Sequence, residues 1–269
     1  MTDATNQDLL IDERGGVAWL TMNRPARLNA MNTGLVDALR HYFQGLHKRH
    51  EIRVVVLQGA GRAYCAGLDL KDRVGAAPRD VQASFDGQHS IRDIMIAMRE
   101  CPQPVISIVQ GSASGGGFGL ALASDIRLAT PDARFNAAFI RIGVSGCDMG
   151  SSYFLPRMVG ASVAAEYLLT GRFMDAQRAY QLGLVSRVDA MPALQVEAQA
   201  MADDMLHATP LALRLTKDCL NHNIDAPGLR AAIAMEDRNQ VLCTRGGDFQ
   251  EGIHAFLEKR KPVYGQMAG

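Results

Sequence analysis

Hydrophobic residues fall into two alternating patterns along the chain. Four short runs are apolar and rich in β-branched residues: GGVAWLTMN (Gly15 to Asn23), RVVVLQGAG (Arg53 to Gly61), PVISIV (Pro104 to Val109) and DIRLAT (Asp125 to Thr130). Runs of this length, bounded by turn residues, predict buried strands. Between them the spacing changes. Leu35, Leu39, Phe43 and Leu46 recur at helical intervals with His41, His47 and His50 interleaved, which predicts an amphipathic helix carrying solvated histidines. Ile91, Ile94, Met95 and Met98 mark one face of a second helix over residues 80–100, stopped by Pro102 and Pro104. Strand, strand and helix therefore recur with glycine turns between them, although no sequence repeat of fixed period is present. From about Met191 the pattern becomes helical: Pro192 and Pro210 stand at helix starts, and Asp248 reads as the N-cap of FQEGIHAFLEKR. These patterns divide the chain into an α/β core, 1–191, and a helical C-terminal region, 192–269, with the character of an oligomerisation layer.

Composition narrows the function classes. The 269 residues are 48% hydrophobic, enough for a sizeable core. The 28 basic and 28 acidic side chains balance, and no basic run exceeds EKRK, so no nucleic acid partner is expected. MTDATNQDLL lacks a basic segment followed by an apolar one, so it does not read as a secretory signal. No window approaches the roughly 18 apolar residues of a membrane span. The 5 cysteines form no CxxC pair, which argues against a disulfide framework or a metal site and for a reducing cytoplasm. The 13 methionines read as fillers of core gaps.

Candidate chemistry begins at GSASGGGFGLALASD (Gly111 to Asp125), where Gly115, Gly116 and Gly117 follow a predicted strand and precede an apolar helix. CAGLDL, after the strand at 53–61, is a second turn of the same kind. If the two strands are neighbours, both turns open at one end of the sheet, and two backbone N–H groups converge there. Such a pair, one at a helix N-terminus, stabilises a carbonyl oxygen that gains negative charge. The same glycines also suit close strand–helix packing, and from this segment alone both readings stand. A dinucleotide fingerprint needs spaced glycines rather than contiguous ones. A phosphate loop needs Lys and Ser/Thr where Phe118 and Gly119 stand.

NRPARLNAMN (Asn23 to Asn32), GRAYCAGLDL (Gly61 to Leu70), QGSASGGGFGLALASDIRLA (Gln110 to Ala129), the LLTGR…DAQRAYQLGLVSRV stretch (Leu168 to Val188) and HAFLEKRKP (His254 to Pro262) together resemble the crotonase superfamily, the enoyl-CoA hydratase/isomerase family. The motifs stand in that family's order across residues 9–264. The resemblance implies a spiral of β-β-α units with a C-terminal helical trimerisation region, acyl-CoA thioester substrates, and a homo-trimer or dimer of trimers. It implies no metal and no cofactor beyond the coenzyme A of the substrate. The family's two oxyanion N–H groups fall on Leu68 and Gly116. Its CoA-binding positions fall on Ala26, Arg27, Leu28, Ala66, Asp69 and Leu70, and, reaching a neighbouring subunit's nucleotide, on Phe256 and Lys259. Lys259 reads equally as part of a solvated terminal charge cluster.

The chain departs from the family's hydratases at two positions. Their paired glutamates, which activate water, fall here on Gly119 and Phe139, and neither residue can move a proton. Asp148, in the loop GVSGCDMGSSY, is the candidate base or nucleophile. Dienoyl-CoA isomerases, a chlorobenzoyl-CoA dehalogenase and naphthoate synthases of the family place a working aspartate in the corresponding loop. Asp148 also reads as a cap of the turn that follows. Cys147 reads as a packed small residue, and His89 and Arg92 as exposed residues on the helix bordering the pocket. Phe139 forms an apolar pocket wall suited to an aromatic or polyunsaturated acyl group. The expectation is isomerisation of an unsaturated acyl-CoA; hydration by another route, or acyl-CoA binding without turnover, are the alternatives.

Overall fold

The computed structural model describes residues 8–73 and 80–264. In chain order the elements are β1 (Leu9–Arg14), β2 (Val17–Met22), α1 (Thr33–Gly45), β3 (Val54–Gly59), α2 (Val81–Glu100), β4 (Val105–Val109), β5 (Ser112–Ser114), α3 (Gly116–Ala123), β6 (Ile126–Ala129), β7 (Arg134–Asn136), α4 (Ser151–Val159), α5 (Ala161–Thr170), β8 (Met174–Asp175), α6 (Ala176–Gln181), β9 (Arg187–Val188), α7 (Met191–Leu206), α8 (Pro210–Asn223), α9 (Leu229–Cys243) and α10 (Gly247–Leu257). A six-stranded sheet runs β1-β2-β3-β4-β6-β9 and a three-stranded sheet runs β5-β7-β8. In the larger sheet only the β1–β2 pair is antiparallel. β4 is buried throughout and β3 nearly so, as a parallel strand covered on both faces requires.

Each face is sealed by helices whose apolar spacing matches. Leu35, Leu39 and Phe43 of α1 and Ile91, Ile94, Met95 and Met98 of α2 bury into one core, with the wholly buried α3. Asn32 caps α1 by accepting from Leu35 N at 2.8 Å, and Asp80 caps α2 by accepting from Ala83 N at 2.7 Å. On the opposite face Leu194, Ala198 and Ala202 of α7 pack on Val54, Val56, Ile106 and Leu128. α7 lies beyond the division expected at residue 191, yet it covers the sheet; α8 to α10 form the outer helical region. α10 starts at Gly247 with Gly246 as its cap, so Asp248 stands inside the first turn rather than at the cap.

The outer helices leave apolar side chains in the open. None of α9 is buried, and Leu229 is 74% and Phe256 82% exposed. Among the described residues no helix is long and apolar enough to cross a membrane.

Candidate active site

β3 and β4 are parallel neighbours, so the glycine turns that follow them open at the same end of the sheet. The chain after β3 threads between two segments. On one side Tyr64 N donates to Gln110 O at 2.7 Å, Cys65 N to Ser112 O at 3.0 Å, and Ser114 N to Cys65 O at 3.0 Å. On the other, Ala66 N donates to Leu28 O at 2.9 Å, Met31 N to Gly67 O at 2.7 Å, and Asp69 N to Met31 O at 3.0 Å. In this parallel bridge Met31 bonds to Gly67 and Asp69, which turns the N–H of Leu68 away from it.

The Leu68 N–H has no acceptor among the described residues, and neither has that of Gly116, the first residue of α3. The two donors belong to adjacent backbones, because a Cβ built on Gly67 would lie 3.4 Å from Gly116 N. Gly67 holds φ at 96°, which side chains rarely adopt. Gly117 permits the close approach: a Cβ there would overlap the Cys65 carbonyl oxygen. The positive end of α3 adds to the field at this point. Cys65 is buried in the same turn, and burial pushes its thiol up to about 12, so it stays protonated and is no nucleophile.

Asp148 is half-buried. Its Oδ1 accepts from Gln88 Nε2 at 2.6 Å and from Met149 N at 2.7 Å, while Oδ2 takes no hydrogen bond among the described residues. Asp148 also braces the turn that follows, its Oδ1 accepting from Met149 N and its carbonyl from Ser151 N at 2.9 Å, while the N-cap of α4 itself is Gly150 with no side-chain bond. Met149 adopts φ 51°, a left-handed conformation costing a side-chain-bearing residue roughly 1–2 kcal/mol. Its side chain reaches the α3 glycines: a Cβ on Gly116 would lie 3.0 Å from Met149 Sδ. Phe139 is buried with its ring edge 3.4 Å from a Cβ built on Gly115, so it walls the turn beside Gly116. Cys147 is exposed rather than packed. Arg92 is exposed beside Asp93, and His89 is half-buried against Phe85.

The CoA-binding candidates divide. Ala26, Arg27 and Leu70 are exposed, and Leu28 and Ala66 are half-buried around the Ala66–Leu28 bond. The Asp69 carboxylate instead turns inward, 5% exposed and 3.0 Å from the Arg24 guanidinium, so this side chain braces the turn. Asn29 completes the brace: its Nδ2 donates to Ala60 O at 2.8 Å and Ala63 O at 2.7 Å. Phe256 and Lys259 stand exposed at the end of α10, where the single chain brings neither against Leu68 or Gly116.

The tail beside Lys259 is clamped. Glu251 accepts from Arg260 Nη1 at 2.6 Å and Nη2 at 2.8 Å and from Val263 N at 2.8 Å, and the Arg260 bond holds its carboxyl down to about 2. A carboxyl lowered in this way contributes fully above its ordinary unfolded value and stops contributing as pH falls through the folded one. Exchange protection of the Val263 amide should therefore persist on acidification to about pH 4 and vanish near pH 2.

A cavity of about 510 Å³ opens elsewhere, between the end of α2, α4 and α8, lined by Arg99, Phe154, Arg157, Arg214 and Lys217. It contains none of the residues at the glycine turns.

Gln88 and Met149 complete the neighbourhood of Asp148, and no local pattern marks either of them. Gln88 meets Asp148 across 60 residues of sequence, and Met149 reads locally as one more apolar residue. The scaffold residue Arg24 does carry a visible cue, standing at the turn that ends β2.

Comparison with known proteins identifies the family. The Enoyl-CoA hydratase/isomerase family profile matches residues 12–267. The Mycobacterium leprae protein named "Probable enoyl-CoA hydratase echA12" is 36% identical over 93% of this chain and 87% of its own length. The 1,2-epoxyphenylacetyl-CoA isomerase of Escherichia coli is 34% identical over 93% of this chain and 95% of its own. The crystal structure of a Bacillus anthracis enoyl-CoA hydratase superimposes with a TM-score of 0.90 at 32% identity, over 96% of this chain and 99% of that one. Placed by profile, relatives and fold alike, the chain belongs to the enoyl-CoA hydratase/isomerase family of the crotonase superfamily, whose members act on acyl-CoA thioesters.

Proposed function

We propose that the protein isomerises an unsaturated acyl-CoA thioester. The observation that carries this reading is the pairing of two free backbone donors, Leu68 N–H and Gly116 N–H, with one carboxylate whose Oδ2 is unengaged, that of Asp148. The thioester carbonyl lies between the donors. Asp148 removes a proton from carbon, the electron pair moves onto the thioester oxygen as an enolate, and the same proton returns to a different carbon. One acid/base group suffices for this exchange, whereas the two-glutamate route to hydration lacks both carboxylates here, at Gly119 and Phe139. The isomerase name of the Escherichia coli relative supports the choice. Ala26, Arg27, Leu28, Ala66 and Leu70 offer the surface for the nucleotide. The open apolar residues of α9 and α10 are the contact surface of a homo-trimer or dimer of trimers, which would bring Phe256 and Lys259 to a neighbour's nucleotide.

The test uses two substrates. Crotonyl-CoA should keep its conjugated-thioester absorbance with the enzyme present, while a 3-enoyl-CoA should convert to the 2-enoyl isomer. Asp148→Ala should lower isomerisation by about 10²–10⁴-fold and leave CoA-ester binding within a factor of about three. Rapid hydration of crotonyl-CoA, or isomerisation that survives the substitution, would overturn the proposal.

A further inference from the structure

Gly119 leaves no empty slot where the related hydratases carry a carboxylate. A Cβ there would come 2.9 Å from Met149 Cβ and 3.3 Å from Met149 O, with Met95 Cε also at 3.3 Å. A Cβ on Gly116 would meet Met149 Sδ at 3.0 Å and Cε at 3.1 Å. Met149, 3% exposed, thus lies against both glycines, closest of all to Gly119 and sharing Gly116 with Met31, whose Cε a Cβ there would overlap. It is held there by left-handed backbone, φ 51°, with its N–H fixed to Asp148 Oδ1 at 2.7 Å. A strained conformation kept beside a candidate catalytic carboxylate points to a use for that side chain.

We propose that Met149 is a specificity-determining residue whose thioether walls the acyl α- and β-carbons, excluding water and α-branched acyl groups. The inference rests on the acyl-CoA reading of the site. Hydration forms a C–O bond at the β-carbon and needs a water molecule there; isomerisation relocates only a proton. A wall of side chains filling the space over Gly116 and Gly119 therefore selects the second outcome.

Met149→Gly opens the wall and suits the left-handed backbone, so this variant should fold. Met149→Leu nearly conserves the volume and serves as control. Calorimetry with two non-reacting thioether analogues of acyl-CoA, one straight and one α-methyl-branched, reads the wall without any turnover. Met149→Gly should improve binding of the branched analogue relative to the straight one by about tenfold, and Met149→Leu should keep the wild-type ratio. An unchanged binding ratio in Met149→Gly overturns the proposal even if the wild type isomerises. A shifted ratio in a protein that never isomerises upholds the wall and removes the isomerase reading instead. Failure of both analogues to bind wild-type protein removes both.

Discussion

Gly67→Ala should lower isomerase kcat by about 10²–10³-fold while the protein still folds cooperatively, the loss typical of one missing oxyanion donor. The new methyl would sit 2.8 Å from Ser114 O and 3.4 Å from Gly116 N, between the two backbones whose N–H groups are free. Relief requires the peptide carrying Leu68 N–H to swing, and the pair then no longer meets one oxygen. The left-handed backbone at this position adds a stability cost of roughly 1–2 kcal/mol, to be read from the denaturation midpoint. Nucleotide-facing residues are untouched, so the affinity for free CoA should hold. The diagnostic result is the separation: kcat collapses and CoA binding does not. A variant with a lowered melting temperature and kcat within about tenfold of wild type would show that these donors do not hold the reacting carbonyl.

The strands that carry these turns were legible because burial on both faces leaves a continuous apolar run. VVVLQG and VISIV need no partner to be recognised. β1, LLIDER, escaped because only Leu9 is buried and the other five residues of this edge strand face solvent. β5, β7 and β8 are two or three residues long, and their form comes from tertiary pairing such as the Cys65–Ala113 bridge. The same division applies at the site. Each glycine turn has a local signature, but their convergence depends on β3 lying beside β4, which the chain order leaves conditional. Gln88, Met149 and the inward turn of Asp69 depend on contacts between distant segments, and no spacing within one segment encodes them. Cys147 failed as a packed residue because the loop from Arg141 to Ser145 that leads to it is exposed.

Lys217→Met should destabilise the protein by about 3 kcal/mol, within the range for breaking a buried ion pair. Lys217 is 5% exposed, and its Nζ donates to Met98 O at 2.8 Å and Gln103 O at 2.8 Å and lies 3.0 Å from Asp125 Oδ2. It thereby ties α8 to the C-terminal end of α2, where a positive charge also complements the helix dipole. Methionine fills the volume but leaves both carbonyls without this donor. Asp125 keeps the Arg99 guanidinium at 2.8 Å and Val105 N at 2.8 Å, which limits the penalty. Urea titration should show the midpoint fall with an unchanged slope. Gln88 lies in the N-terminal half of α2, more than two turns from Met98, so folded Lys217→Met should retain wild-type kcat. A loss below about 1 kcal/mol would mean that water replaces the ammonium, and a fall in kcat in the folded variant would mean that the α2 anchor bears directly on Asp148.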